Sequence, residues 1–158
     1  MEVLKREGVN VVKYGGGVMI ANLSGLSGMV RDKVGQKNKV MIYGSDGLVY
    51  SSVSEGVDMA FGDPNTLIQH GDVAGFVDLA VFLSLVSAGV NESGLVRTVF
   101  DAVSGISPLD REINLALVEG GIVAGGRIIG EYIDRTPMIP DIVKYGRHIT
   151  RLWMPQTQ

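Results

Sequence analysis

The 158-residue chain has no cysteine, which excludes disulfides, thiolate metal sites and cysteine nucleophiles. Histidine is nearly absent too. His70 and His148 are the two present, far apart and without metal-ligand spacing such as HExxH. Neither is expected to carry catalysis. Positive charge is not in excess: 14 Lys and Arg against 17 Asp and Glu leave a net charge of −3, which argues against a strongly basic nucleic-acid binder. No GxxxxGK[ST] loop occurs, no GxGxxG follows a strand pattern, and no GxSxG is present, so nucleotide binding and seryl chemistry have no motif to rest on. No cofactor and no metal is expected, and the chain does not read as an enzyme. The first ten residues, MEVLKREGVN, lack the apolar core of a secretion signal. The longest apolar run, Val73 to Val90, contains Asp78 and falls short of the ~20 residues that cross a bilayer. It reads as a buried helix, with no membrane contact.

Glycine is abundant. Its 22 residues are about twice the typical ~7% share, a density that points to turns or close backbone contacts. Before residue 70 β-type patterns and glycine dominate, although the apolar residues of Val18 to Gly35 fit neither period. Val9 to Tyr14 reads as a strand, Val40 to Val53 as a hairpin turning at Gly44-Ser45-Asp46-Gly47, and Gly56 to Phe61 as a further strand. The seven residues VVKYGGG (Val11 to Gly17) resemble the opening strand and loop of amino-acid kinases, but a strand ending in a glycine turn explains them better.

After residue 70 the period is helical. Asp72 can cap a helix running to about Ser87 and Asn91 a second one, with Leu95, Val96, Val99, Phe100 and Val103 on its apolar face. Ser107-Pro108 with Asp110 marks a third start, for a helix running to about Ile133. Its stripe of Ile113, Leu117, Gly121, Ala124, Ile128 and Tyr132 is expected to meet another backbone closely at Gly121 and Ala124. Pro137 and Pro140 then make a corner, and a last helix should place Lys144, Arg147, His148 and Arg151 on one face, with Trp153 on the apolar side and mostly buried. The expected fold is α+β. A β-rich arm or subdomain with a hairpin covers residues 1–70, and a bundle of about four helices covers residues 71–158.

Over residues 107–154 the chain resembles bacteriophage head–tail adaptor (connector) proteins of the Mu-like prophage type. The resemblance rests on Ala124, Ile128 or Ile129, Tyr132, Ile133 and Arg135, followed by Pro140 and the run Ile142 to Trp153. It implies an adaptor-like helical bundle and a structural virion protein: a homo-oligomeric ring between portal and tail proteins, assembled in the host cytoplasm, with possible non-specific contact with packaged DNA. Lys144, Arg147, His148, Arg151 and Trp153 would then be the assembly or channel residues. Two other readings are open. One is a different capsid or tail subunit. The other is a small α+β ligand-binding domain or enzyme using the glycine loops Gly15–Gly17 and Gly44–Gly47.

Overall fold

In the computed structural model, residues 2–23, 25, 29, 32–33, 38–138, 140–141 and 147–148 are described. They form α1 (Glu2–Leu23), α2 (Lys39–Ala60), α3 (Val73–Glu92), α4 (Leu95–Ile106) and α5 (Arg111–Arg135), with no strand among the described residues. The expected β-rich segment before residue 70 is therefore helix. Val9 to Tyr14 lies inside α1, and the expected hairpin and third strand lie inside α2.

The glycine pattern shows why. Gly47, expected at a turn, sits in the middle of α2, where an added Cβ would strike the Ala80 carbonyl oxygen and would lie 2.6 Å from Ser84 Cβ. It marks the closest approach of α2 to α3. Gly17 does the same for α1 against α2, its added Cβ falling 2.7 Å from side-chain carbons of Val53 and Val57. Gly15 and Gly120 let the backbones of α1 and α5 touch, and Gly126 lets α5 meet Leu83 of α3. The serines that look like turn formers instead bond back to their own helix: Ser45, Ser51 and Ser54 hydroxyls donate to the carbonyls of Ile42, Leu48 and Ser51. Local β-propensity yields here to packing, because a chain with a small residue at each crossing gains more from close helix contact than from strand pairing.

These contacts define an antiparallel, up-down-up-down bundle of α1, α2, α3 and α5, with α4 lying against α3 and α5. The core holds Tyr14, Val18, Val49, Tyr50, Val53, Leu79, Leu83 and Val123. Asp72 caps α3 as expected, accepting from the Gly75 amide at 2.9 Å. The helix continues past the expected end to Glu92, and Gly94 rather than Asn91 opens α4, in a left-handed conformation (φ 78°) that turns the chain. The Asn91 amide instead donates to the Ser87 carbonyl. Helix α5 begins three residues later than expected, after a Ser107–Leu109 turn closed by the Ser107 hydroxyl, and ends at Arg135 before the Pro137 turn. Its close-contact face is rotated from the expected one. Ala124 is buried, but Gly120 makes the backbone contact, while Gly121 faces open space and Ile128 and Tyr132 are exposed.

Candidate functional site

At the end of the bundle where α1 and α3 begin and α2 and α5 finish, ionisable side chains turn inward. Glu55 and Asp58, one turn apart near the end of α2, share a face because residues three apart do so on a helix. Asp58 is met from both sides. The Tyr14 hydroxyl donates to its Oδ1 at 3.0 Å, and Arg127 Nη1 of α5 lies 2.9 Å from its Oδ2. The Arg127 guanidinium also stands 5.7 Å from the Tyr14 ring centre, so three helices meet on one ion pair.

Glu55 is 2% exposed, and its Oε2 accepts from the Leu67 amide at 3.1 Å. It thereby ties α2 to the connection that leads into α3. Asp78 of α3 is 1% exposed. His148 sits between Asp78 and Asp134: its Nδ1 is 3.6 Å from Asp78 Oδ2 and its Nε2 is 2.7 Å from Asp134 Oδ1. The Nε2 contact with Asp134 is within hydrogen-bond distance, whereas the Nδ1 approach to Asp78 is an ion-pair distance only. The Arg147 guanidinium stacks 4.5 Å over the Phe82 ring. It reaches that position beside Gly130, where an added Cβ would be 3.0 Å from Arg147 Nε. Two polar cavities open around these groups. One, of 210 Å³, is lined by Tyr14, Asp58, Asp63 and Arg127; the other, of 240 Å³, is lined by Glu55, Asp78, Asp134 and His148. Arg127 and Glu131 line both.

Of the residues expected to form an assembly face, Arg147 and His148 are half-buried and engaged with Phe82, Asp78 and Asp134. Lys144, Arg151 and Trp153 lie outside the described residues. His70 is exposed in the connection before α3. Gly15–Gly17 and Gly44–Gly47 lie inside helices, so the loops that an alternative ligand site required do not form. The expectation missed Tyr14, Glu55, Asp78 and Arg127 as a group. Their signal was the placement of single charges within otherwise apolar helical runs. Among the described residues, no three His, Asp or Glu side chains are disposed to hold a metal ion. The chemistry the cluster can perform is charge pairing that fixes the mutual register of α1, α2, α3 and α5. No protein family, curated protein or solved structure matches the chain.

Proposed function

We propose that this protein is an integral membrane component: a helical bundle that sits in a lipid bilayer and acts as a structural, assembling subunit rather than as an enzyme. The observation that carries this reading is an inverted distribution of polarity. The buried positions of α2 and α3 include Ser45, Asp46, Ser51, Ser54, Glu55, Asp78 and Ser87, while Val40, Met41, Leu48, Val81 and Leu85 of the same helices are exposed. Helices α1 and α5 share the second half of this pattern, with Val12, Ile20, Ile128 and Ile129 outward. Scattered exposed apolar residues are normal on soluble proteins. Two helices that bury serine and carboxylate while exposing aliphatic side chains are not, since burying each such aliphatic side chain is worth ~1.5–3 kcal/mol in water.

Both objections to a membrane span weaken on the described helices. The Val73 run belongs to a helix of 20 residues, about 30 Å long and so matched to the hydrocarbon thickness of a bilayer. Of the two acids of this helix, Asp78 points into the bundle and Glu92 is its last residue. Helix α5 is also long and apolar enough to cross, and only 33% of the apolar window of α3 and 44% of that of α5 are buried. Small residues at each helix crossing suit association in lipid, where close van der Waals packing replaces the hydrophobic drive. This reading departs from the expectation of no membrane contact.

A second reading keeps the resemblance to head–tail connectors. In it the same apolar flank, including Ile128, Ile129 and Tyr132 within the resembling stretch, is covered by neighbouring copies in a ring. Extraction separates the two. A membrane subunit sediments with membranes, resists carbonate and requires detergent; a connector is recovered as a large ring in detergent-free buffer. Because the chain lacks cysteine, Leu85→Cys and Ile129→Cys supply single thiols. The membrane reading expects both to react with a lipid-soluble reagent and to resist a water-soluble maleimide, and maleimide labelling of both at the rate of a free thiol overturns it.

A further inference from the structure

A groove of 540 Å³ runs between α4 and the α3–α5 pair, and every residue lining it is Val, Leu, Ile or Gly. Its walls include Val86 and Val90 of α3, Val99 and Val103 of α4, and Leu117 and Ile122 of α5. Gly121 and Gly125 form part of the α5 wall, and an added Cβ at either would meet nothing within 4 Å. These two glycines therefore differ from Gly120 and Gly126, whose added Cβ atoms would collide with α1 and α3. They widen a space that the fold itself leaves empty.

Adjoining this groove is a 240 Å³ recess that shares Val96 with it and is lined by Asn91, Arg97, Phe100, Arg111 and Leu115. Neither guanidinium has a carboxylate within ion-pair distance among the described residues. Asp101, one turn along from Arg97, is not paired with it. Arg111 stands 5.9 Å from the Phe100 ring centre, which holds its charge at the recess.

We infer that the groove and recess together bind one anionic phospholipid, with an acyl chain along the Val, Leu, Ile and Gly wall and the headgroup phosphate at Arg97, Arg111 and Asn91. The inference rests on the membrane reading above. Three features select this occupant. An apolar groove without polar partners does not hold ordered water. A helix of about 10 Å diameter fills roughly 400 Å³ per turn, so a helix of a second copy would engage the groove for barely one turn. A hydrocarbon chain needs no polar partner along its length, and the planar, multidentate guanidinium matches a phosphate at its head. The groove volume also falls within the usual ~300–1,000 Å³ of small-molecule sites.

The test uses the full chain purified in detergent. Dioleoyl phosphatidylglycerol, dioleoyl phosphatidylcholine and inorganic phosphate are titrated separately, with lipid adducts read by native mass spectrometry and thermal unfolding read by circular dichroism. The expected result is a one-to-one phosphatidylglycerol adduct that raises the unfolding temperature, with phosphatidylcholine bound about tenfold more weakly and inorganic phosphate without effect. Gly121→Leu with Gly125→Leu fills the groove and should abolish the adduct at unchanged helicity. Arg97→Gln with Arg111→Gln should erase the preference between the two lipids. Equal binding of the two lipids, stabilisation by inorganic phosphate alone, or a wild-type-like adduct in either double variant overturns the site. If the protein requires detergent but binds no lipid, this site falls and the membrane reading stands. If it is soluble without detergent, the membrane reading falls first.

Discussion

Two adjacent glycines should respond in opposite directions to the same substitution. In α5, a Cβ on Gly120 would meet the Val11 carbonyl oxygen, the Gly15 nitrogen at 2.5 Å and the Gly15 Cα at 2.7 Å. All three are backbone atoms of α1 and cannot rotate away. Ordinary carbon contacts sit at ~3.5–4.0 Å, so Gly120→Ala must push α1 and α5 about 1 Å apart locally. Overpacking of this kind costs ~1–3 kcal/mol. The better helix propensity of Ala returns up to ~1 kcal/mol, leaving a net loss of up to ~2 kcal/mol. At Gly121 the same Cβ meets nothing within 4 Å, so Gly121→Ala retains the propensity gain and should stabilise by up to ~1 kcal/mol. The separation between the variants is then ~1–3 kcal/mol. It can be read from denaturant or SDS titrations in mixed micelles, followed by far-ultraviolet circular dichroism. Equal shifts in the two variants, or a stabilised Gly120→Ala, would refute the assignment of Gly120 to the helix contact.

Three further outcomes test the charged end of the bundle. Arg127→Met strands Asp58, which is 16% exposed at the side chain, and should cost ~2–3 kcal/mol; the double variant with Asp58→Asn should recover part of this, a coupling measured by a double-mutant cycle. Glu55→Ala removes the acceptor of the Leu67 amide and should cost ~1–3 kcal/mol in the same titration, whereas Glu55→Gln keeps a carbonyl acceptor there and should cost less. Tyr14→Phe loses the hydroxyl that donates to Asp58 without opening a cavity and should cost ~0.5–1.5 kcal/mol; a larger loss would mean that the hydroxyl supports more than this one bond.

The capping of α3 by Asp72, the apolar face of α4 and the end of α5 before Pro137 were legible in the sequence because each depends on a local rule of backbone satisfaction. The class of the first 70 residues was not. Val, Ile and Tyr flanking Asp46-Gly47 satisfy the hairpin pattern, and that pattern presumes that apolar residues face a core and glycine marks a turn. In α2 Gly47 marks a helix contact with α3 rather than a turn, and Val40, Met41 and Leu48 face outward while Val49, Tyr50 and Val53 join the core, so the pattern does not alternate as a strand's would. The site was hidden for the same reason. Asp78 looked like an interruption of an apolar run, when its burial among α2, α5 and His148 makes it part of the interior.

The position of the charges follows from the position of the glycines. At the middle of the bundle, Gly15, Gly47 and Gly120 bring backbones so close that a Cβ at these positions would strike the facing helix. The Ser51 and Ser54 hydroxyls there bond to carbonyls of their own helix, whereas the Ser87 hydroxyl of α3 donates across to Asp46 of α2 at 3.3 Å. Most of the longer polar side chains, Tyr14, Glu55, Asp58, Asp78 and Arg127, gather around the two polar cavities towards one end. There the helices are joined by charge pairing and hydrogen bonds. On the membrane reading proposed above, this division has a physical purpose. Small-residue packing is strong but tolerates sliding by one helical turn, because Gly and Ser recur along the same face. A charge pair between Asp58 and Arg127 does not tolerate it, since a slip of one turn moves the partners by about 5.4 Å and leaves both charges unpaired in a medium of low dielectric constant. The glycines thus set how closely the helices approach, and the ion pair sets the register at which they stop.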